Sequence, residues 1–260
     1  MSVHFGIGYR YRQREDCFVS EFIKDETDGQ VLTITLNRPG EGNALNDTGI
    51  GELAALLQTA HTRARMVVLK AAGADFCVGR LAPRGAAAPK LEALQVRRGR
   101  DAVFNCYSAF RESPVPIVAA VRGRALGFGC AIAACADITI ASDNAVFQMP
   151  EFGENIMPTI AMSALLGKVT AKRLMYIAYS TAEMSAERAE RMGFVSDVVK
   201  DTDLDAAAGR ITAQILKAPQ PAVLAIKEYA RVAPSMDIRG AVDYARSLHA
   251  VINSSSEMRP

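Results

Sequence analysis

The chain has 260 residues, half of them hydrophobic, enough for one large domain, or for one domain with a small helical appendage, around a substantial core. Its 30 basic residues against 28 acidic ones leave a net charge of +2, which gives no general reason to expect a nucleic-acid or membrane partner. Five cysteines without CxxC spacing and three histidines outside any HxH or HExxH pattern argue against disulfide staples and against a metal site.

Taken in chain order, residues 1–28 are polar and charge-rich, and the run from Tyr9 to Asp16 has no clear period. This reads as a surface extension, with an edge strand as the alternative. No positively charged leader precedes a long apolar run, and no segment reaches the roughly 18 apolar residues that a membrane helix needs. The expectation is a soluble, unsecreted, cytoplasmic protein whose cysteines, Cys17, Cys77, Cys106, Cys130 and Cys135, are reduced core or near-core thiols. Val31 to Leu36 alternates like a half-buried strand and stops at the turn sequence Asn37-Arg38-Pro39-Gly40. Apolar residues at helical spacing from Ile50 to Arg63, then the short strand Met66 to Leu69, complete a βαβ unit.

Pro114 to Val121 reads as another buried strand, a glycine turn at Gly127 feeds a helix to about Cys135, and Asp137 to Ser142 is strand again. After Pro158 the pattern turns helical: Met162 to Leu166, Ala171 to Tyr179, Ser185 to Met192, Leu204 to Leu216 and Pro221 to Arg231. No repeat or linker separates the two regions. The expected organisation is an N-terminal extension over 1–28, an α/β core over 29–195 and a helical C-terminal region over 196–260.

Chemistry concentrates between Ala125 and Glu151. Glycines at a helix start let the backbone turn sharply and present unpaired N–H groups at the positive end of the helix dipole, a suitable place for an oxygen gaining negative charge. Met149-Pro150-Glu151 follows with a carboxylate. On local sequence alone the glycines could serve only a tight turn and Glu151 could be an ordinary surface residue. A dinucleotide fingerprint is discounted, because Ile132 stands where GxGxxG needs a small residue.

Five stretches in order carry a resemblance: Leu32-Thr-Ile-Thr-Leu-Asn-Arg-Pro39, Phe76-Cys-Val-Gly-Arg80, Gly123-Arg-Ala-Leu-Gly-Phe-Gly-Cys130, Phe147-Gln-Met-Pro-Glu151, and Ser185 to Val195. Together the chain is similar to the enoyl-CoA hydratase/isomerase family, the crotonases. The resemblance implies an α/β spiral of ββα units with a C-terminal helical region used in trimerisation, trimers that often pair into hexamers, and acyl-CoA or enoyl-CoA thioester substrates, with coenzyme A present only as part of the substrate. It implies an oxyanion hole made by the backbone N–H groups of Arg80 and Phe128, each preorganised donor contributing about 3 to 4 kcal/mol. It also implies that Glu151 moves protons at the acyl carbons. Arg38, Gly40, Glu41, Gly42, Val78, Gly79 and Gly127 are then expected around the coenzyme A moiety, with Arg80, Arg84, Lys90, Arg97, Arg98 and Arg100 as further cations for its phosphates.

Departures from the family pattern shape the reaction expected. Family hydratases place a second glutamate where this chain has Ala131, so a single carboxylate favours double-bond isomerisation, or another enolate reaction, over hydration. A weakly active or inactive thioester-binding member and a crotonase-type hydrolase stay open as alternatives. Glu154, three residues after Glu151, and Thr159, in place of the family's glycine-rich run, are candidate second polar groups. Leu81 stands where the family usually has Asp, and the chain ends at Pro260, short of the Phe and Lys that often contact adenine in relatives.

Overall fold

The computed structural model describes residues 17–81, 92–98 and 101–258. In chain order its elements are β1 (Cys17–Val19), β2 (Ile23–Asp28), β3 (Val31–Leu36), α1 (Asp47–Thr59), β4 (Met66–Ala71), α2 (Ala93–Arg98), α3 (Asp101–Glu112), β5 (Ile117–Val121), β6 (Arg124–Leu126), α4 (Phe128–Cys135), β7 (Ile138–Ser142) and β8 (Val146–Gln148). There follow α5 (Thr159–Leu165), α6 (Ala171–Ser180), β9 (Met184–Ser185), α7 (Ala186–Met192), β10 (Asp197–Val199), α8 (Leu204–Lys217), α9 (Gln220–Val232) and α10 (Ile238–Asn253).

Local sequence accounts for much of this. In β3 the alternation Val-Leu-Thr-Ile-Thr-Leu buries Leu32, Ile34 and Leu36 completely while the residues between them stay half-buried. Asn46 caps α1 by accepting the Gly49 N–H at 3.0 Å, and Leu53 and Leu57, one helical turn apart, enter the core. Helix α7 starts at the cap Ser185 and ends at Gly193, whose φ of 105° suits the left-handed stop.

Two sheets result. The larger runs β1-β2-β3-β4-β5-β7-β10, antiparallel through β3 and parallel from β3 onward, with β3 and β4 in register from Val31↔Met66 to Leu36↔Ala71. The smaller is β6-β8-β9. Successive turns of the chain place one strand in the large sheet and the next in the small one before a helix follows, as in β5-β6-α4 and β7-β8-α5, which is the expected spiral of ββα units. One core lies between the large sheet and α1, α3 and α4; a second, on the opposite face, packs Leu204, Ala207 and Ala208 of α8 against Met66, Val118, Ala120 and Ile140. That double covering explains why all five residues of β5 are buried.

Three differences from the sequence expectations follow. Residues 17–28 are two sheet strands rather than surface extension, β1 being the edge strand and β2 pairing with β3 along its whole length, with Phe22 and Ile23 in the core. Strand β10 and helix α8 belong to the sheet and its second core, although both follow residue 195. Helix α3 was not expected, and α10 lies in the region expected to be helical without having been assigned on its own. Helix α9 is tied to the core by Lys227, whose buried ammonium donates to Asp137 Oδ2 at 2.7 Å and to the Val115 carbonyl at 2.9 Å. No helix among the described residues is long and apolar enough to cross a membrane.

Candidate active site

The site is assembled by segments that all run the same way. Strand β6 pairs in parallel with β8, so Gly127 and the Pro150-Glu151 step leave the small sheet at the same end, and Gly127 N–H donates to the Gln148 carbonyl at 2.8 Å. On the other side of β6 a parallel bridge joins Cys77 to Ala125, with the Leu126 N–H donating to the Cys77 carbonyl at 2.9 Å. This aligns the stretch from Cys77 to Arg80 with the Gly127 turn. A further parallel bridge joins Leu45 to Arg80. In it the Gly79 carbonyl accepts from Leu45 N–H at 3.1 Å and Leu81 N–H donates to the Leu45 carbonyl at 2.8 Å, so the intervening Arg80 N–H faces away from Leu45.

Phe128 is the first residue of α4, where an amide has no intrahelical acceptor, and the cap residue Gly127 has no side chain to satisfy it. The Arg80 and Phe128 amides have no backbone acceptor among the described residues. Their separation is set by a tight approach: a Cβ on Gly129 would lie 2.0 Å from the Cys77 carbonyl oxygen, so only glycine lets α4 start this close to the Arg80 segment. Gly127 itself sits at φ 51°, ψ −112°.

The Glu151 carboxylate borders the same turn. A Cβ on Gly127 would lie 3.1 Å from Glu151 Oε1, while Oε2 is sealed from solvent with no hydrogen-bond partner. Burial pushes the Glu151 carboxyl above the usual carboxylate range, opposed by a hydrogen bond from its own backbone and helped slightly by the charge of Glu154. A half-buried carboxylate with one sealed, unpartnered oxygen, bordering the turn that starts α4, is able to take up and release a proton while charge develops on an oxygen held by the amides.

Other expected residues are placed differently from one another. Glu154 closes the 3-10 turn Glu151–Glu154 and is exposed, as is Thr159 at the start of α5; neither is hydrogen-bonded to Glu151. Gly40 and Glu41 lie in the turn Pro39–Glu41, and the Gly42 carbonyl accepts the Val78 N–H at 2.9 Å, which docks that turn on the segment before Gly79. Arg38 and Arg80, expected among the cations for the coenzyme A phosphates, both form ion pairs. Arg38 pairs with Glu21 at 3.0 Å and Glu41 at 2.8 Å while lying over the Phe22 ring, and the Arg80 guanidinium forks onto Asp47 at 2.8 and 2.9 Å. Arg97 and Arg98 are exposed at the end of α2; Arg84, Lys90 and Arg100 fall outside the described residues.

Ala131 is fully buried in α4. The described thiols, Cys77, Cys106, Cys130 and Cys135, are free and buried, and burial pushes Cys77 and Cys130 up to about 12, so none is poised as a nucleophile. Tyr107 was missed by the sequence reading. Its helix carries a signal that could have found it, since Val103, Cys106, Tyr107 and Phe110 recur at helical spacing and all are buried.

Comparison with known proteins agrees with this arrangement. The family model described as enoyl-CoA hydratase/isomerase matches residues 26–259. A short-chain-enoyl-CoA hydratase of Clostridium acetobutylicum is 33% identical over 212 residues, which are 78% of this chain and 78% of the relative. The 1,2-epoxyphenylacetyl-CoA isomerase of Escherichia coli is 29% identical over 248 residues, 92% of this chain and 93% of the relative. Among solved structures, a candidate enoyl-CoA hydratase from Thermobifida fusca in complex with acetoacetyl-CoA superposes with a TM-score of 0.78 at 27% identity, over 88% of this chain and 94% of that one. With a crotonase fold and a family match along most of its length, the chain belongs to the enoyl-CoA hydratase/isomerase family of acyl-CoA enzymes.

Proposed function

We propose that this enzyme shifts a double bond in an enoyl-CoA thioester by way of an enolate. Glu151 takes a proton from C2, the electron pair moves onto the thioester oxygen held by the Arg80 and Phe128 amides, and the same carboxyl returns the proton at C4 as the double bond re-forms between C2 and C3. The observation that carries this reading is the apposition of the Glu151 carboxylate to Gly127, with Oε1 3.1 Å from where a Cβ would stand and Oε2 unpartnered. A single buried carboxylate suffices for proton relocation, whereas hydration ordinarily uses two, and Ala131 supplies none. The relatives include both hydratases and an isomerase of an epoxide, so the choice between reactions rests on the carboxylates.

The thioester's coenzyme A would border Gly40, Gly42, Val78 and Gly79, with no permanently bound cofactor. We also propose that the exposed apolar side chains of α9 and α10, Ile226, Ile238, Val242 and Val251, meet other copies in a homotrimer or a hexamer of two trimers, acting in the cytoplasm. Light scattering on the purified enzyme checks the assembly.

Incubation with 3-enoyl-CoA and 2-enoyl-CoA checks the reaction. Migration of the double bond is expected, with Glu151→Gln reducing it by about 100-fold or more while thioester binding persists. Water addition as the main product would make the enzyme a hydratase; release of free coenzyme A would make it a hydrolase. Binding without turnover would leave a thioester-binding protein, and unchanged turnover in the variant would remove Glu151 from the mechanism.

A further inference from the structure

Helix α3 brings one more polar group to this site. Tyr107 is 1% exposed, and its ring stacks on that of Phe128 with centroids 5.9 Å apart and planes at 17°. Phe128, Ala131 and Cys135 are spaced i, i+3 and i+7, so they share one face of α4. Burial keeps the phenol protonated, and the neighbouring groups acting in the same direction include Cys135 and Glu151. The phenol ring therefore lies against the Phe128 end of α4, whose next turn carries only the methyl group of Ala131.

The hydroxyl has no hydrogen-bond partner among the described residues, although a buried tyrosine hydroxyl ordinarily finds one. It is also not sealed from solvent in the way Glu151 Oε2 is. An almost fully buried donor without a partner is thus carried on a ring stacked against the residue proposed to supply an oxyanion amide.

We propose that the Tyr107 hydroxyl is a specificity-determining group of the acyl pocket, donating a hydrogen bond to a neutral oxygen, carbonyl or hydroxyl, carried on the acyl chain beyond C3. This rests on the reading of the site as an acyl-CoA site. The phenol stays protonated and so acts as donor; an anionic acyl group would meet the charge of Glu151 in a poorly solvated place. A plain hydrocarbon chain would leave the hydroxyl unpaired, and a site built around a hydrogen bond discriminates against the ligand that lacks it.

The test compares binding of non-reacting saturated thioesters, hexanoyl-CoA, 4-oxohexanoyl-CoA and 5-oxohexanoyl-CoA, to the full-length enzyme and to Tyr107→Phe. The native enzyme should bind at least one oxo thioester about 10-fold or more tighter than hexanoyl-CoA, and Tyr107→Phe should erase that preference while keeping hexanoyl-CoA binding. A melting curve gives an independent readout: an unpaired hydroxyl predicts that Tyr107→Phe is as stable as the native enzyme, whereas a clear loss of stability would mark the hydroxyl as structurally bonded and overturn the proposal. Hexanoyl-CoA binding with no oxo preference, or a preference that survives Tyr107→Phe, overturns the role of Tyr107 and leaves the acyl-CoA reading standing. No binding of any thioester removes both.

Discussion

The distance between the two proposed donors depends on Gly129, which contributes neither amide nor side chain to the site, so Gly129→Ala isolates that geometry. Helix propensity alone would make the change stabilising by up to about 1 kcal/mol, since the residue lies in the first turn of α4. Contact decides otherwise. The new Cβ would stand 2.0 Å from the Cys77 carbonyl oxygen, 2.8 Å from its carbon and 2.9 Å from the Cys77 Cβ, all atoms of a strand held by the Ala125 bridge. Relief requires α4 and the Cys77 segment to part by roughly 1 Å, and overpacking of this kind costs about 1 to 3 kcal/mol. For a chain of this size each kcal/mol corresponds to roughly 2 to 4 °C in Tm, so a fall of about 2 to 12 °C is expected.

Separation of the Arg80 and Phe128 amides by that distance should lower kcat/KM by about 100-fold, a typical penalty for an ångström of misplacement. Steady-state kinetics on an enoyl-CoA and a calorimetric melt read the two effects. Gly51→Ala, at an exposed position of α1 with nothing within 4 Å of a Cβ, is the comparison and should raise stability by about 0.5 to 1 kcal/mol at unchanged rate. A Gly129→Ala enzyme with kcat/KM within twofold of the native value would refute the claim that this close approach sets the donor spacing.

Four further outcomes are expected. Arg80→Ala removes the fork onto Asp47 but keeps the amide, so kcat/KM should stay within about 10-fold of native; a loss of about 1,000-fold would assign the work to the guanidinium instead. Because burial holds the Glu151 carboxyl high, the acid limb of kcat/KM should fall above the ordinary glutamate value of about 4.3, activity rising with pH as the base ionises. The same shift penalises the charged form in the folded state, a stability contribution present below the unfolded value and lost as pH rises through the folded one; Glu151→Gln should therefore gain stability relative to native at pH 8 and not at pH 4 in urea titrations. Asn43→Ala strips a fully buried side chain that donates to the Ala72 and Asp75 carbonyls at 2.8 and 2.7 Å and accepts the Arg38 N–H at 2.7 Å, from a backbone at φ 57°. Orphaning those groups should cost about 2 to 5 kcal/mol in a urea titration.

The elements legible in the chain were those whose cause is local. Strand β3 shows its alternation, α4 begins at the glycine turn, and α6 to α9 follow apolar periods and caps, so each could be assigned from neighbouring residues. Strands β6, β8, β9 and β10 are two or three residues long and carry no pattern of their own; they exist because distant segments supply their partners. Helix α10 buries none of its residues, so its place follows from the cap at Asp237 and its own amphipathic period rather than from packing in this chain. Arg38 reads in sequence as a phosphate ligand, yet Glu21 and Glu41 claim it, a competition visible only once β2 and the Pro39 turn are side by side.

The ordered motifs by themselves determined the family, pointed to the two proposed amides and the carboxylate, and put Ala131 where a second acid was expected, because those features are residue identities at set spacings. The tertiary structure decided what the spacing of residues 77, 127 and 151 means, since parallel pairing across β6 brings three distant segments to one end of the small sheet. It also decided that Glu151 is partly desolvated and that the buried Tyr107 ring stacks on Phe128. Desolvation and the pairing of polar groups depend on which atoms exclude water, and these come from segments far apart in the chain.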